Sequence, residues 1–268
     1  MNKVIQRTWI WIVLLFLYAP ILILAFYSFT SATMIGTVRE FSLANYVTLF
    51  TTPELVNMIL GTLLLALGVA VLSTVLGTMG AIGSFYSGKK VRGAIELSNQ
   101  IPVVNADVVT GFSVCILMIA IFHVRKDTYV PLVIGQTALC VPFVYLSVIP
   151  RLKKMDHQLY EAALDLGCTP AKALWMVTVP QILPGIGSGF MTAITLSLDD
   201  YFIATYTKPA TFDTISTYVV NATRGSQTTI KTALWALSTI IFIVVVLGVV
   251  GANRIGKGGE GKHEKKKD

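Results

Sequence analysis

Residues 156–180 read DHQLYEAALDLGCTPAKALWMVTVP, a polar stretch set between long apolar runs. Its punctuation predicts two short helices joined by a forced turn. From Asp156 to Leu166 the residues are good helix formers, with Asp156 at the positive end of the dipole. Leu159, Ala162, Ala163 and Leu166 recur at helical spacing and form a shallow apolar face. Gly167 stands where that helix should end, supplying a left-handed conformation that other residues adopt only at a cost. Thr169 and Pro170 suit the cap and first turn of a second helix, Pro170 to Val179, which Pro180 should terminate. Pro184 and Gly185 then open the next apolar span.

The surrounding chain is that of an integral membrane protein. Of its 268 residues 54% are hydrophobic and 13% charged, against roughly 25% charged in a soluble globular domain. Runs free of Asp, Glu, Lys and Arg extend over 8–38, 55–88, 108–124, 128–150, 173–198 and 232–253. A helix needs about 20 mostly apolar residues to cross the hydrocarbon, so six spans are expected. They fall near Trp9–Phe29, Val56–Phe85, Pro102–His123, Val130–Ile149, Ile182–Tyr206 and Ala233–Ala252. Positive charge is retained in the cytoplasm, and 15 of the 21 basic residues lie on the side of Lys3, Lys89, Arg151 and the tail. Both termini and the 156–180 stretch are therefore expected in the cytoplasm. A cleaved leader would have an apolar core of about 7–15 residues; the run from Trp9 is longer and reads as a retained anchor.

The net charge of +7 follows from this inside bias and from the Lys-rich tail 257–268, which reads as a disordered, solvated or lipid-facing extension, so no nucleic-acid partner is expected. Cys115, Cys140 and Cys168 are far apart, and His123, His157 and His263 are scattered, so neither a metal site nor a catalytic grouping is expected. Residues 251–257 spell G-x-x-x-x-G-K, yet Gly258 replaces the Ser or Thr of a phosphate loop, and the stretch leaves a membrane helix. Asn221-Ala222-Thr223 fits a glycosylation sequon, a weak signal. Gly77, Gly80 and Gly83 give the second span a small-residue face for close helix packing.

Ionisable groups near a bilayer usually face a partner or a water-filled path. Asp199 and Asp200 sit in the outer part of the fifth span, with Tyr201, Phe202 and Tyr206 beside them. Adjacent residues lie about 100° apart on a helix, so one acid lines a path while the other caps or pairs. Capping of the helix end or pairing of both with Lys208 is the alternative. Asp107 reads as a helix N-terminal charge, with a pathway role as the alternative.

The spacing Glu161-Ala162-Ala163-x3-Gly167-x9-Val177-x-Val179-Pro180 resembles the E-A-A-x3-G-x9-I-x-L-P loop of ABC importer permeases, with Val for Ile and for Leu. Tyr18-Ala19-Pro20-Ile21, Pro102-x3-Ala106-Asp107 and Ser197-Leu198-Asp199-Asp200 are similar to the C-type permease subunit of spermidine/putrescine importers. The resemblance implies the type I importer permease fold: all-α, one transmembrane domain over 1–256, with a coupling loop at 151–181. It implies that Glu161, Ala162, Ala163, Asp165, Gly167 and Pro180 dock on a cytoplasmic ABC ATPase dimer, which binds ATP and Mg, while this chain holds no cofactor. A second permease subunit, an external substrate-binding protein and the bacterial cytoplasmic membrane complete the expected assembly. The cargo expected is a polyamine, with iron and thiamine as alternatives. An autonomous secondary carrier and a non-transporting membrane scaffold are the other readings.

Overall fold

The computed structural model describes residues 3–32, 40–125, 127–224 and 232–243. All of its regular elements are helices: α1 (Lys3–Ser28), α2 (Ala44–Thr51), α3 (Pro53–Tyr86), α4 (Lys89–Val104), α5 (Asp107–Ile116), α6 (Val130–Lys154), α7 (His157–Asp165), α8 (Pro170–Ala173), α9 (Val179–Asp199), α10 (Phe202–Thr207) and α11 (Ile215–Arg224), with α12 at Thr232–Ile243. Among the described residues, four uninterrupted stretches are long and apolar enough to cross a membrane: Arg7–Ser28, Pro53–Tyr86, Val130–Lys154 and Pro170–Asp199. The pair α4 and α5, bent by 108°, makes five if it counts as one span. The predicted sixth span, Ala233–Ala252, is helical to Ile243, and its remainder lies outside the described residues. So do Lys231, the 251–257 stretch and the 257–268 tail.

The chain divides into two compact units, residues 1–56 with 219–268, and residues 57–218. In the first, Asn45 of α2 donates to the carbonyls of Ser28 and Thr30, both at 3.0 Å, closing the turn after α1. Ring contacts of Tyr18 with Phe242 (6.3 Å) and Tyr27 with Trp235 (6.0 Å) join α1 to α12.

The second unit is built on α6, whose inner face is fully buried at Val144, Val148 and Leu152. Glycine lets its neighbours come close, as lipid offers no hydrophobic drive for helix association. A Cβ at Gly77 of α3 would sit 2.8 Å from Val144 Cβ, and one at Gly189 of α9 would sit 3.2 Å from Val144 Cα, so Val144 is gripped from both sides. Gly80 reaches Tyr145 only at 4.0 Å and Gly83 meets nothing within 4 Å, so the close approach is confined to Gly77.

Three predicted boundaries are corrected. The third span does not run straight from Pro102 to His123: α4 ends at Val104, Asn105 and Ala106 are extended, and α5 restarts at Asp107. It finishes in a π-helical turn over Leu117–Ile121, after which His123 takes a φ of +52°. Pro102, lacking an N–H, sits in the last turn before the break. The helix from Pro170 does not end at Pro180. A π-helical turn over Leu174–Thr178 carries it into α9, with Val179 N–H bonding Leu174 O. The wider turn absorbs the donor that Pro180 lacks. The fifth span does not reach Tyr206: α9 stops at Asp199, Asp200 is extended, and α10 begins at Phe202.

Candidate functional site

Two places concentrate the residues singled out by sequence. The first is the 156–180 hairpin. Asp156 caps α7 by accepting from Gln158 N–H at 3.0 Å, and Thr169 caps α8 by accepting from Lys172 N–H at 3.4 Å. Between them Gly167 takes a φ of +84°. Cys168 N–H bonds Ala163 O at 3.0 Å and Gly167 N–H bonds Leu164 O at 2.9 Å. These are the 6→1 and 5→2 bonds of a Schellman motif, so the chain reverses on a fixed backbone geometry.

The hairpin is tied down by its other side. Tyr160 packs on Tyr86 at the end of α3, with ring centroids 5.3 Å apart, and the Tyr86 hydroxyl lies 3.4 Å from that of Thr178. With that face engaged, the opposite one is left uncovered. Glu161, Ala162, Asp165 and Pro180 are exposed, Ala163 is half-buried, and Leu159 and Leu166 are 51% and 86% exposed. Trp175 and Met176, at 74% and 64%, extend the same uncovered character into the π-helical turn. Sequence reasoning passed over these two, although a Trp and a Met in a segment already read as a surface helix are themselves a signal.

The second place is the break between α9 and α10, where the two adjacent acids part company. Asp199, the last residue of α9, is exposed, whereas Asp200 is 7% exposed. Both Asp200 oxygens are used: Oδ1 accepts from Ile203 N–H, and Oδ2 accepts from Ala204 N–H and from Gln136 Nε2, each at 3.0 Å. Asp200 thus holds the start of α10 rather than the end of α9. Lys208 pairs with Asp213 at 2.8 Å and also donates to Phe212 O, so it is not the partner of either acid. Tyr201 is half-buried with its ring against Phe202. Asp107 is in the first turn of α5, an N-terminal charge as expected.

Gln136, fully buried on α6, was missed by sequence reasoning. It is the one amide side chain in the charge-free run 128–150. A polar group there is costly unless partnered, which was the available clue. Its Oε1 accepts from Ser197 Oγ at 2.8 Å, joining α6 to both sides of the break.

The family described as "Binding-protein-dependent transport system inner membrane component" matches residues 1–255. The chain is 31% identical over 258 residues to the putrescine transport system permease protein PotI of Escherichia coli K12, covering 92% of this chain and 90% of that one. Identity to the spermidine/putrescine transport system permease protein PotC of Haemophilus influenzae is 25% over 245 residues, covering 91% and 94%. In fold, the chain is similar to a chain of a bacterial alginate ABC transporter crystallised with an alginate-bound periplasmic protein, at a TM-score of 0.71 and 19% identity, with 91% and 90% covered.

Proposed function

This chain belongs to the binding-protein-dependent transport system inner membrane components, and from that premise we propose that the solute it conducts is a polyamine of the putrescine and spermidine class. It is a non-catalytic membrane permease component of an ABC transporter. The observation that carries the substrate is the 31% identity to PotI across nearly the whole of both chains. A small polycation also suits the chemistry at the α9–α10 break, where Asp199 offers an exposed carboxylate and Tyr201 an aromatic face.

In this reading the chain is one domain over 1–256 and crosses the bacterial cytoplasmic membrane six times, with both termini in the cytoplasm. It forms half of the path, and a second permease subunit forms the rest. A substrate-binding protein delivers cargo from outside. The 156–180 hairpin docks on a cytoplasmic ATPase dimer, which binds ATP and Mg. Glu161 and Asp165 make the ionic contacts, Ala162 and Ala163 allow close approach, Gly167 fixes the turn, and Pro180 sits where the loop passes into α9. The uncovered face of Leu159, Ala162, Leu166, Trp175 and Met176 supports this, since an exposed apolar helix face with charged flanks suits a groove on another protein. ATP then has only to favour one packing of the helices over another, with the hairpin transmitting the preference.

The test is ATP hydrolysis by the whole complex in vesicles, challenged with putrescine, spermidine, ferric iron and thiamine, each with the binding protein. Stimulation by the polyamines alone is expected. Stimulation by iron or thiamine and not by either polyamine refutes the substrate assignment.

A further inference from the structure

Gln136 is fully buried, yet through it α6 sets the α9–α10 break. Its amide spans the interruption: Oε1 takes the hydroxyl of Ser197, two residues before α9 ends, and Nε2 gives to Asp200 just after it. Asp200 in turn holds two buried N–H groups in the first turn of α10, at Ile203 and Ala204. The short helix is seated by contact as well. A Cβ at Gly111 of α5 would lie 2.8 Å from Ile203 Cα, and one at Gly135 of α6 would lie 2.7 Å from Ile203 Cγ2. Ile203 is therefore clasped between two glycines, one of them the residue beside Gln136.

This clasp decides which acid is presented. The backbone at Asp200 is extended, with φ −65° and ψ 115°, so its side chain and that of Asp199 leave the chain in different directions. With Asp200 drawn inward by Gln136 and the two N–H groups, Asp199 is turned out, and it is the exposed one. We infer that Gln136 is a positioning residue for substrate recognition: by latching Asp200 and Ser197 together it fixes Asp199, of these two adjacent acids, as the one offered to the cationic cargo. The inference rests on the reading of Asp199 as a path residue given above.

A double-mutant cycle in the reconstituted complex separates the two claims. The readouts are the putrescine concentration for half-maximal ATPase stimulation and the maximal stimulated rate. Asp199→Asn is expected to raise the half-maximal concentration about tenfold, and Gln136→Leu to raise it by about the same factor with the maximal rate within about twofold of wild type. Because Gln136 acts through Asp199, the double variant is expected to match Asp199→Asn alone, at about tenfold, rather than the roughly hundredfold of independent effects. A hundredfold loss in the double variant overturns the latch, and so does a wild-type half-maximal concentration in Gln136→Leu beside an impaired Asp199→Asn. A wild-type value in Asp199→Asn overturns the reading of Asp199 itself. Should Gln136→Leu not assemble, Ser197→Ala, which only releases the Gln136 oxygen, is carried through the same cycle and judged by the same outcomes.

Discussion

Gly167 offers the sharpest quantitative test of the hairpin, since its demand is one of backbone conformation alone. An added Cβ there meets nothing within 4 Å, so no steric term enters from the chain itself. What remains is the φ of +84°. An L-residue in that region costs about 1–2 kcal/mol, and a β-branched one more. Against this stand the two Schellman bonds, from Cys168 N–H and Gly167 N–H, each worth about 0.5–1.5 kcal/mol net. The opposing quantities are of the same size, so a side chain at 167 shifts the balance between closed and open turn instead of abolishing it. A strain of about 1–2 kcal/mol depletes the closed turn relative to the open one by a factor of about 5–30. Substrate-stimulated ATPase in the reconstituted complex should therefore fall in the order Gly, Asn, Ala, Val, because Asn tolerates the left-handed region. Membrane insertion, followed by protease protection, should stay unchanged, since the turn is exposed and carries no span. Full coupling in Gly167→Val refutes the argument. Loss in Gly167→Asn equal to that in Gly167→Val also refutes it, and shifts the cause from backbone conformation to bulk against a docked surface.

Other substitutions probe the packing and the uncovered face. Gly111→Ala brings a Cβ to 2.8 Å from the Ile203 backbone and should cost about 1–3 kcal/mol by overpacking; it is read as a lowered melting temperature in detergent, with Gly68→Ala, where nothing lies within 4 Å, as the unchanged control. Leu166→Glu alters a side chain that is 86% exposed, so thermal stability of the isolated chain should hold while recovery of the ATPase on affinity-purified permease falls; undiminished recovery counts against docking on that face. Tyr160→Ala removes the ring contact with Tyr86, worth about 0.5–1.5 kcal/mol beyond area burial, and should speed proteolysis within the 156–180 hairpin; an unchanged cleavage rate shows the hairpin to be held by other contacts.

Much of the hairpin was legible in the sequence because caps and turns are local. Asp156, Gly167, Thr169 and Pro170 each act within a few residues of themselves, and the structure gives them the backbone roles that their chemistry dictates. The apolar runs were legible for a related reason: the length of a hydrophobic stretch is a one-dimensional quantity, and α1, α3 and α6 follow it closely. Continuity at a proline was not legible. Pro180 removes a donor, and whether the helix stops or widens into a π-helical turn depends on what the freed turn packs against, here a buried Thr178 near Tyr86. Nor was the 108° bend at Asn105, since the Val108–Val124 run looks the same whether its helix continues α4 or turns from it.

By itself, then, the sequence determined an all-helical membrane chain, the positions of most of its apolar runs and the turn chemistry of its one polar hairpin. It also supplied two adjacent acids, equivalent as letters. Only the tertiary structure told them apart, because the difference lies in Gln136, 64 residues from Asp200 in the chain and hydrogen-bonded to it in the fold. A buried carboxylate must find donors, and which of two neighbours finds them is decided by the helix that packs alongside, not by the residues next to it.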